Sequence, residues 1–355
     1  MDLFNTRTVL LNTGKAEIKR AEIAAYFEKT WELDTRLYDH LTLDEAFYLR
    51  AEPLRHPLIF YLGHTAAFYM NKLSVARLID QRINPGFESM FAIGVDEMSW
   101  DDLDERNYDW PTVDAVREYR SQVKAFVLQQ IQTLPLTLPI GWEDPFWVIM
   151  MGIEHQRIHI ETSSVIIRRM ELEYLRTLSE WQICTLRGEA PDNQLLPVSG
   201  GRVQLGKQRN HPLYGWDNEY GTQQTDVETF RAAKFLVSNG EYLPFVEDGG
   251  YKQQDWWTEE GRQWLSFSHA RHPLFWIPDG ESYRLRLLAQ EIEMAWNWPV
   301  EVNWLEAKAF CNWLAAKSGK PIRLPSEEEW YRLHELHDIV DQPYWEKANG
   351  NINVE

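Results

Sequence analysis

The sequence predicts an α+β protein in two parts: a four-helix bundle over residues 15–180, then from residue 195 to 355 a domain of short strands, turns and irregular segments. Three observations predict it. Long stretches with apolar residues at helical spacing fill the first half. After Arg187-Gly-Glu-Ala-Pro-Asp192 the texture changes to short runs punctuated by Gly and Pro. A chain of 355 residues also exceeds the usual size of one hydrophobic core, so two domains are expected.

The four helices are expected at roughly 15–40, 56–82, 112–134 and 143–178. Pro57 suits the first turn of the second helix, where a missing N–H costs nothing. Between the second and third lies a long acidic connection, Phe91 to Arg106, and long connections in small domains are often functional. In the second half, Val198-Ser-Gly-Gly-Arg-Val-Gln-Leu-Gly206 alternates like a strand after a Gly turn, and Gly249-Gly250, His272-Pro273 and Pro278-Asp-Gly280 mark loops. One clear helix follows, Trp304 to Lys317, closed by Ser318-Gly319.

Composition narrows the function classes. There are 54 acidic and 36 basic residues, net charge −18, with no basic cluster, which argues against nucleic acid and anionic membranes as partners. The 17 Trp, 15 Tyr and 15 Phe exclude a disordered chain. Residues 1–7 lack a charged-then-apolar signal pattern, and no apolar run reaches spanning length, so a cytoplasmic protein is expected. Cys184 and Cys311 fall in different expected domains and in no metal-binding spacing; Cys311 reads as a small buried apolar residue.

The chemistry sits in Met151-Gly-Ile-Glu-His-Gln-Arg-Ile-His-Ile-Glu-Thr162. His155 and His159 lie at i and i+4, which puts their Cβ atoms about 6 Å apart on one helix face. The spacing is that of zinc proteases, but those need Glu as general base after the first His, and here Gln156 stands there. A further ligand must come from elsewhere, and His64 is the candidate. On its helix Phe60, His64, Ala67, Phe68 and Asn71 share a face. A lone buried His is usually a core residue bonded to a backbone carbonyl; the presence of His155 and His159 on a similar apolar helix tips the reading to ligation. Ligands pointing inward from two helices are an established way to build a bundle site. Glu154 and Glu161 flank the pair and are candidates to accept imidazole N–H groups. Asp96, Glu97, Trp100 and Arg106 in the long connection read equally as substrate contacts or as a solvated loop. Arg323 and Glu329 read as structural, and the Trp256–Trp276 stretch as core.

Two further runs, Val302-Asn-Trp-Leu-Glu-Ala-Lys-Ala-Phe-Cys-Asn-Trp-Leu314 and Arg323-Leu-Pro-Ser-Glu-Glu-Glu-Trp330, resemble the formylglycine-generating-enzyme family, whose fold is a C-type-lectin-like variant. The first half resembles the DinB-like bundle, in which three histidines bind a divalent metal. The combination resembles the iron-dependent sulfoxide synthases of thiol-histidine biosynthesis. Within them, Arg55 to His64, Gly94 to Asp102 and Met151 to His155 are similar to the ovothiol branch, the 5-histidylcysteine sulfoxide synthases.

That resemblance implies Fe(II) as cofactor, His64, His155 and His159 as its ligands, and cysteine, histidine and O2 as substrates. Three neutral imidazoles suit Fe(II) and leave positions for other ligands. The ergothioneine synthases, which take trimethylhistidine, carry a substrate-binding Gln immediately before the last His; here it is Ile158, which points away from that branch. The resemblance also implies a catalytic tyrosine beyond residue 355, in a second domain expected to be incomplete; neither Tyr331 nor Tyr344 stands in the family's motif. A methyltransferase domain follows in some relatives of this kind. The alternatives are an ergothioneine-type synthase and a DinB-like thiol transferase that uses the same histidines with Zn or Ni and requires no second domain. A non-catalytic binding module is a third.

Overall fold

Burial in the first half follows helical spacing, and the helices form where that spacing is sustained. The computed structural model describes residues 7–92 and 108–336. Helix α1 (Ala16–Leu37) buries Ile23, Tyr26, Phe27, Thr30, Trp31, Asp34 and Leu37, one stripe with polar residues opposite. Helix α2 (Leu58–Val75) has Pro57 at its N-cap and is buried on nearly every side from Leu58 to Ala67. It is therefore the central helix, packed on both α4 (Val113–Thr133) and α5 (Pro145–Arg168), with α1 against α5. Among the described residues no helix is long and apolar enough to cross a membrane.

The expected helices end early at three places, each for a local reason. Helix α1 gives way to a 3-10 turn, Tyr38–His40. Helix α2 stops at Val75 rather than residue 82, because Arg77 adopts a left-handed conformation (φ 57°). The last helix stops at Arg168 rather than 178: the chain peels away so that Leu175 bridges Leu41 and Arg176 N–H donates to the His40 carbonyl at 2.8 Å. Just before the long connection lies a short helix the periodicity does not reveal, α3 (Pro85–Met90), capped by Asn84 Oδ1 accepting from Phe87 N–H at 3.1 Å. Asp96, Glu97, Trp100, Arg106 and Tyr344 lie outside the described residues.

A buried polar cluster ties the bundle together. Asp34 Oδ2 accepts from Arg120 at 2.7 Å, from Gln156 at 2.8 Å and from Thr65 at 3.3 Å, linking α1, α4, α5 and α2. Arg120 also donates to the Leu62 carbonyl at 2.7 Å, and Tyr69 donates to Gln156 Oε1 at 3.1 Å. A buried charge is tolerable only with partners of this kind. Gly152 lets α5 approach α2: a Cβ there would run into the Tyr69 ring. That close approach sits three residues before His155.

The described chain divides into two compact units. Gln208–Asn218, within the range expected for the second domain, groups with the helical unit. Its aromatic and apolar side chains explain why: Tyr214 lies 4.9 Å from Trp147, Arg209 stacks on Trp142 at 4.8 Å, and Leu11 N–H donates to the Pro212 carbonyl at 2.7 Å.

The second unit is a set of small antiparallel sheets with helices. Strand β1 (Leu195–Val198) pairs with β4 (Phe230–Ala233), and β2 (Gly201–Leu205) with β3 (Gln223–Val227). Strands β5 (Trp276–Asp279), β6 (Ser282–Arg286) and β7 (Glu291–Glu293) form a three-stranded sheet in that order. The β5–β6 hairpin turns through Gly280 at φ 61°, a conformation that favours glycine. Helices α6 (Asn239–Glu247), α7 (Glu259–Ser268), α8 (Trp304–Ser318) and α9 (Glu327–Leu336) complete the unit. Its core is aromatic: Tyr242, Phe245, Trp257, Trp276, Phe310 and Trp313 pack together, as the Trp-rich texture predicts. Helix α8 begins with a capping box between Asn303 and Glu306. Arg323 donates to both oxygens of Glu329 at 2.7 and 2.6 Å, a bidentate pair that holds the loop before α9.

Candidate metal centre

Helix α5 presents His155 and His159 on the face turned toward α2, and α2 presents His64 back toward them. The helix spacing does the first part and the Gly152–Tyr69 contact the second. The three Nε2 atoms converge: His64 to His155 is 3.2 Å and His159 to His155 is 3.1 Å. One nitrogen from each ring lies within 4.8 Å of the others.

Those separations fit a shared ion. Two imidazole nitrogens each about 2.1 Å from one metal stand about 3 Å apart at a right-angled bond and about 3.4 Å apart at a tetrahedral one. The two separations to His155, 3.2 and 3.1 Å, fall between these values, and all three nitrogens lie within 4.8 Å of one another. The donor set is three neutral nitrogens with no thiolate or carboxylate among the described residues of the cluster, a set that suits Fe, Zn, Ni or Cu rather than Mg or Ca.

Burial sets the charge state. His64 and His159 are 5 % and 8 % exposed. Desolvation pushes the His64 imidazole down to about 4, opposed by its bond to a carbonyl. Desolvation and then the nearby His64 push His159 down to about 3. His155 is held well below the ordinary imidazole range by desolvation, by His159 and His64, and by Lys72. All three are neutral near pH 7, with lone pairs available.

The sign of the pH dependence follows. Unfolded imidazoles take up protons near pH 6.5, the folded ones only at lower pH, so the unfolded state binds more protons as pH falls. The metal-free protein should lose stability from about pH 6.5 down toward 4, read as a falling urea midpoint. The loss should be smaller in His64→Gln. Metal affinity, by contrast, should change little between pH 7.5 and 5.5 by chelator competition; a steep drop over that interval would contradict the neutral triad.

Each ring is oriented differently. His64 Nδ1 lies 2.6 Å from the Phe91 carbonyl. His159 Nδ1 lies 3.3 Å from Thr162 Oγ1, one turn along the same helix. His155 Nδ1 is buried without a hydrogen-bond partner among the described residues. Its ring is held by the face of Phe68, with centroids 3.5 Å apart and planes 8° from parallel. Lys72 Nζ lies 5.1 Å from the centroid of that phenyl.

Neither of the two candidates, Glu154 and Glu161, is the partner of an imidazole Nδ1 in these contacts. Glu154 Oε1 instead accepts from Tyr26 at 2.9 Å, and Glu161 points to solvent, because both lie off the α5 face that meets α2. Gln156 likewise faces the Asp34 cluster rather than the histidines. Thr162 was not singled out from the sequence, although its i+3 spacing from His159 is a usable signal. A main-chain carbonyl 27 residues from His64 carried no sequence signal.

Residues 26–163 match the family model of the DinB superfamily, and residues 185–332 match that of the sulfatase-modifying factor enzyme 1-like domain. The chain thus has a DinB-like helical part followed by a domain of the sulfatase-modifying type with small sheets. It is 29 % identical over 294 residues to hercynine oxygenase of Mycolicibacterium smegmatis, covering 81 % of this chain and 63 % of that protein. It is 28 % identical over 327 residues to hercynine oxygenase of Mycolicibacterium thermoresistibile, covering 90 % and 67 %. Ergothioneine biosynthesis protein 1 of Schizosaccharomyces pombe is 22 % identical over 332 residues, covering 82 % and 39 %. The matched part therefore spans just under two thirds of the first of these relatives.

Proposed function

We propose that this chain is an O2-dependent, non-haem iron sulfoxide synthase that joins the sulfur of a cysteine-type thiol to the imidazole ring of histidine or a histidine derivative. The observation that carries the proposal is the meeting of His64, His155 and His159 through their Nε2 atoms in a bundle that precedes a domain of the sulfatase-modifying type. Similarity to hercynine oxygenase over 81 % of the chain supports it. That similarity runs through both parts, whereas a DinB-like thiol transferase would require only the first.

The reaction balances without a further reductant. A thiol S–H and a ring C–H give one C–S bond, one oxygen atom goes to sulfur, and the other leaves as water with the two hydrogens. The four electrons lost by sulfur and carbon are the four that O2 takes up. Bound by the three histidines, Fe(II) would supply the one-electron chemistry that O2 needs to react with closed-shell partners. The protein's share is positional. His64, His155 and His159 would hold the ion through neutral imidazoles. Phe60, Phe68 and Tyr61 pack around the imidazoles and keep water from them, with centroids 5.0 Å from His64, 3.5 Å from His155 and 5.6 Å from His159 respectively.

The names of the relatives favour hercynine, the trimethylated form of histidine, and with it the ergothioneine-type alternative over the ovothiol branch. One residue favours plain histidine. Ile158, 43 % exposed beside His159, offers no hydrogen bond where the ergothioneine enzymes carry Gln. Protein purified without oxygen should carry near-stoichiometric Fe(II). It should consume O2 and form a sulfoxide with cysteine plus histidine, or with a cysteine-type thiol plus hercynine. The faster pair assigns the branch; bound zinc, with no turnover on adding iron, would transfer the assignment to the thiol transferases.

A further inference from the structure

We propose that Glu88 is a positioning residue for the metal centre: it fixes the end of α3 so that the Phe91 carbonyl takes the Nδ1 proton of His64. The proposal rests on the reading of the three histidines as metal ligands. A carbonyl can only accept, so His64 Nδ1, 2.6 Å away, must donate. A neutral imidazole carries one N–H, and Nε2 is then left with its lone pair directed at the point where it meets His155 Nε2. The carbonyl therefore selects the ligating tautomer, and whatever holds the carbonyl sets the metal site.

Glu88 holds it from a position that water cannot reach. Its side chain is fully buried. Oε1 accepts from the backbone N–H groups of Ile83 at 3.0 Å and Asn84 at 3.1 Å, while Oε2 pairs with Arg82. The Glu88 carbonyl accepts from Asn71 Nδ2 at 2.8 Å, and Arg82 reaches Asn71 Oδ1. Asn71 lies two turns beyond His64 on α2, so the helix that carries the ligand also anchors α3. A fully desolvated carboxylate is stable only while this set of donors stays in place, which leaves the segment one geometry rather than several. Packing adds a second fixed point. The Phe91 ring is completely buried over Gly63, the residue before His64, and any Cβ at Gly63 would collide with it. Glu88 thus acts on His64 through Phe91, three residues on, and Gly63 marks where the ring must sit.

The test uses the full chain with histidine labelled by nitrogen-15, and reads the His64 tautomer in the metal-free protein and the affinity for Fe(II) and Co(II) by chelator competition. His64 in the parent should be the Nδ1–H tautomer. Glu88→Ala and Gly63→Ala should shift it toward a mixture and weaken both metals by about 10- to 100-fold, the range seen when an outer partner of a ligating His is removed. Val127→Ala, a buried change on α4, should lower stability while leaving tautomer and affinity at parent values; that separates positioning from general loosening. An Nε2–H tautomer in the metal-free parent overturns the proposal without recourse to any variant. So do unchanged tautomer and affinity in Glu88→Ala and Gly63→Ala. If instead the tautomer depends on Glu88 but the parent binds neither metal, Glu88's hold on His64 stands and the metal reading fails.

Discussion

Replacing His159 by Ala should strip the centre of its metal. Two imidazoles remain, and the loss in affinity should exceed the roughly 10- to 100-fold that removal of an outer partner costs such a site. His155→Ala and His64→Ala should do the same, because each ring contributes one of the converging Nε2 atoms. O2 uptake and sulfoxide formation should fall with metal content. Helix content should stay at the parent level by circular dichroism, since the α1–α4 and α2–α4 packing does not depend on these rings. Equilibrium dialysis followed by elemental analysis reads the outcome; parent stoichiometry in His159→Ala would remove it from the ligand set.

Asp34→Ala should produce the largest loss of stability in the bundle. Its carboxylate and the Arg120 guanidinium are 0 % and 5 % exposed and 2.7 Å apart. Removing the carboxylate leaves Arg120 buried without its counter-charge and Gln156 without its acceptor, which should cost about 3–5 kcal/mol. For a unit of this size each kcal/mol is worth about 2–4 °C, so the midpoint of thermal unfolding should drop by roughly 6–20 °C. Asp34→Asn keeps the shape and one acceptor and should cost less. Equal melting of Asp34→Ala and the parent would show that the cluster is not what joins the four helices.

Much of this was legible in the chain. The four helices, the change of texture near Arg187 and the aromatic core follow from apolar spacing and turn residues, which are local properties. The i, i+4 pair His155 and His159 is likewise local, since one helix fixes both positions. His64 could be nominated because an ionisable ring on an apolar face needs a partner. Its role was not determined by its own surroundings in sequence. The helix ends were missed where long-range pairing decided them: Leu175 leaves α5 to bridge Leu41, and no pattern around residue 170 announces that.

The sequence by itself therefore determined the four long helices of the first part and helix α8, the apolar faces of the first four, and three histidines that could meet. The tertiary structure decided what those histidines are for each other. Gly152 admits Tyr69 and lets α5 approach α2, and only then do the Nε2 atoms meet at 3.1 and 3.2 Å. It also decided the partners: a main-chain carbonyl at Phe91, a hydroxyl at Thr162 and a phenyl face at Phe68, rather than the carboxylates of Glu154 and Glu161. The physical reason is that a side chain's spacing along its own helix is set by backbone geometry, whereas the atom it meets is set by how separate elements dock, and docking depends on volumes distributed over the whole core.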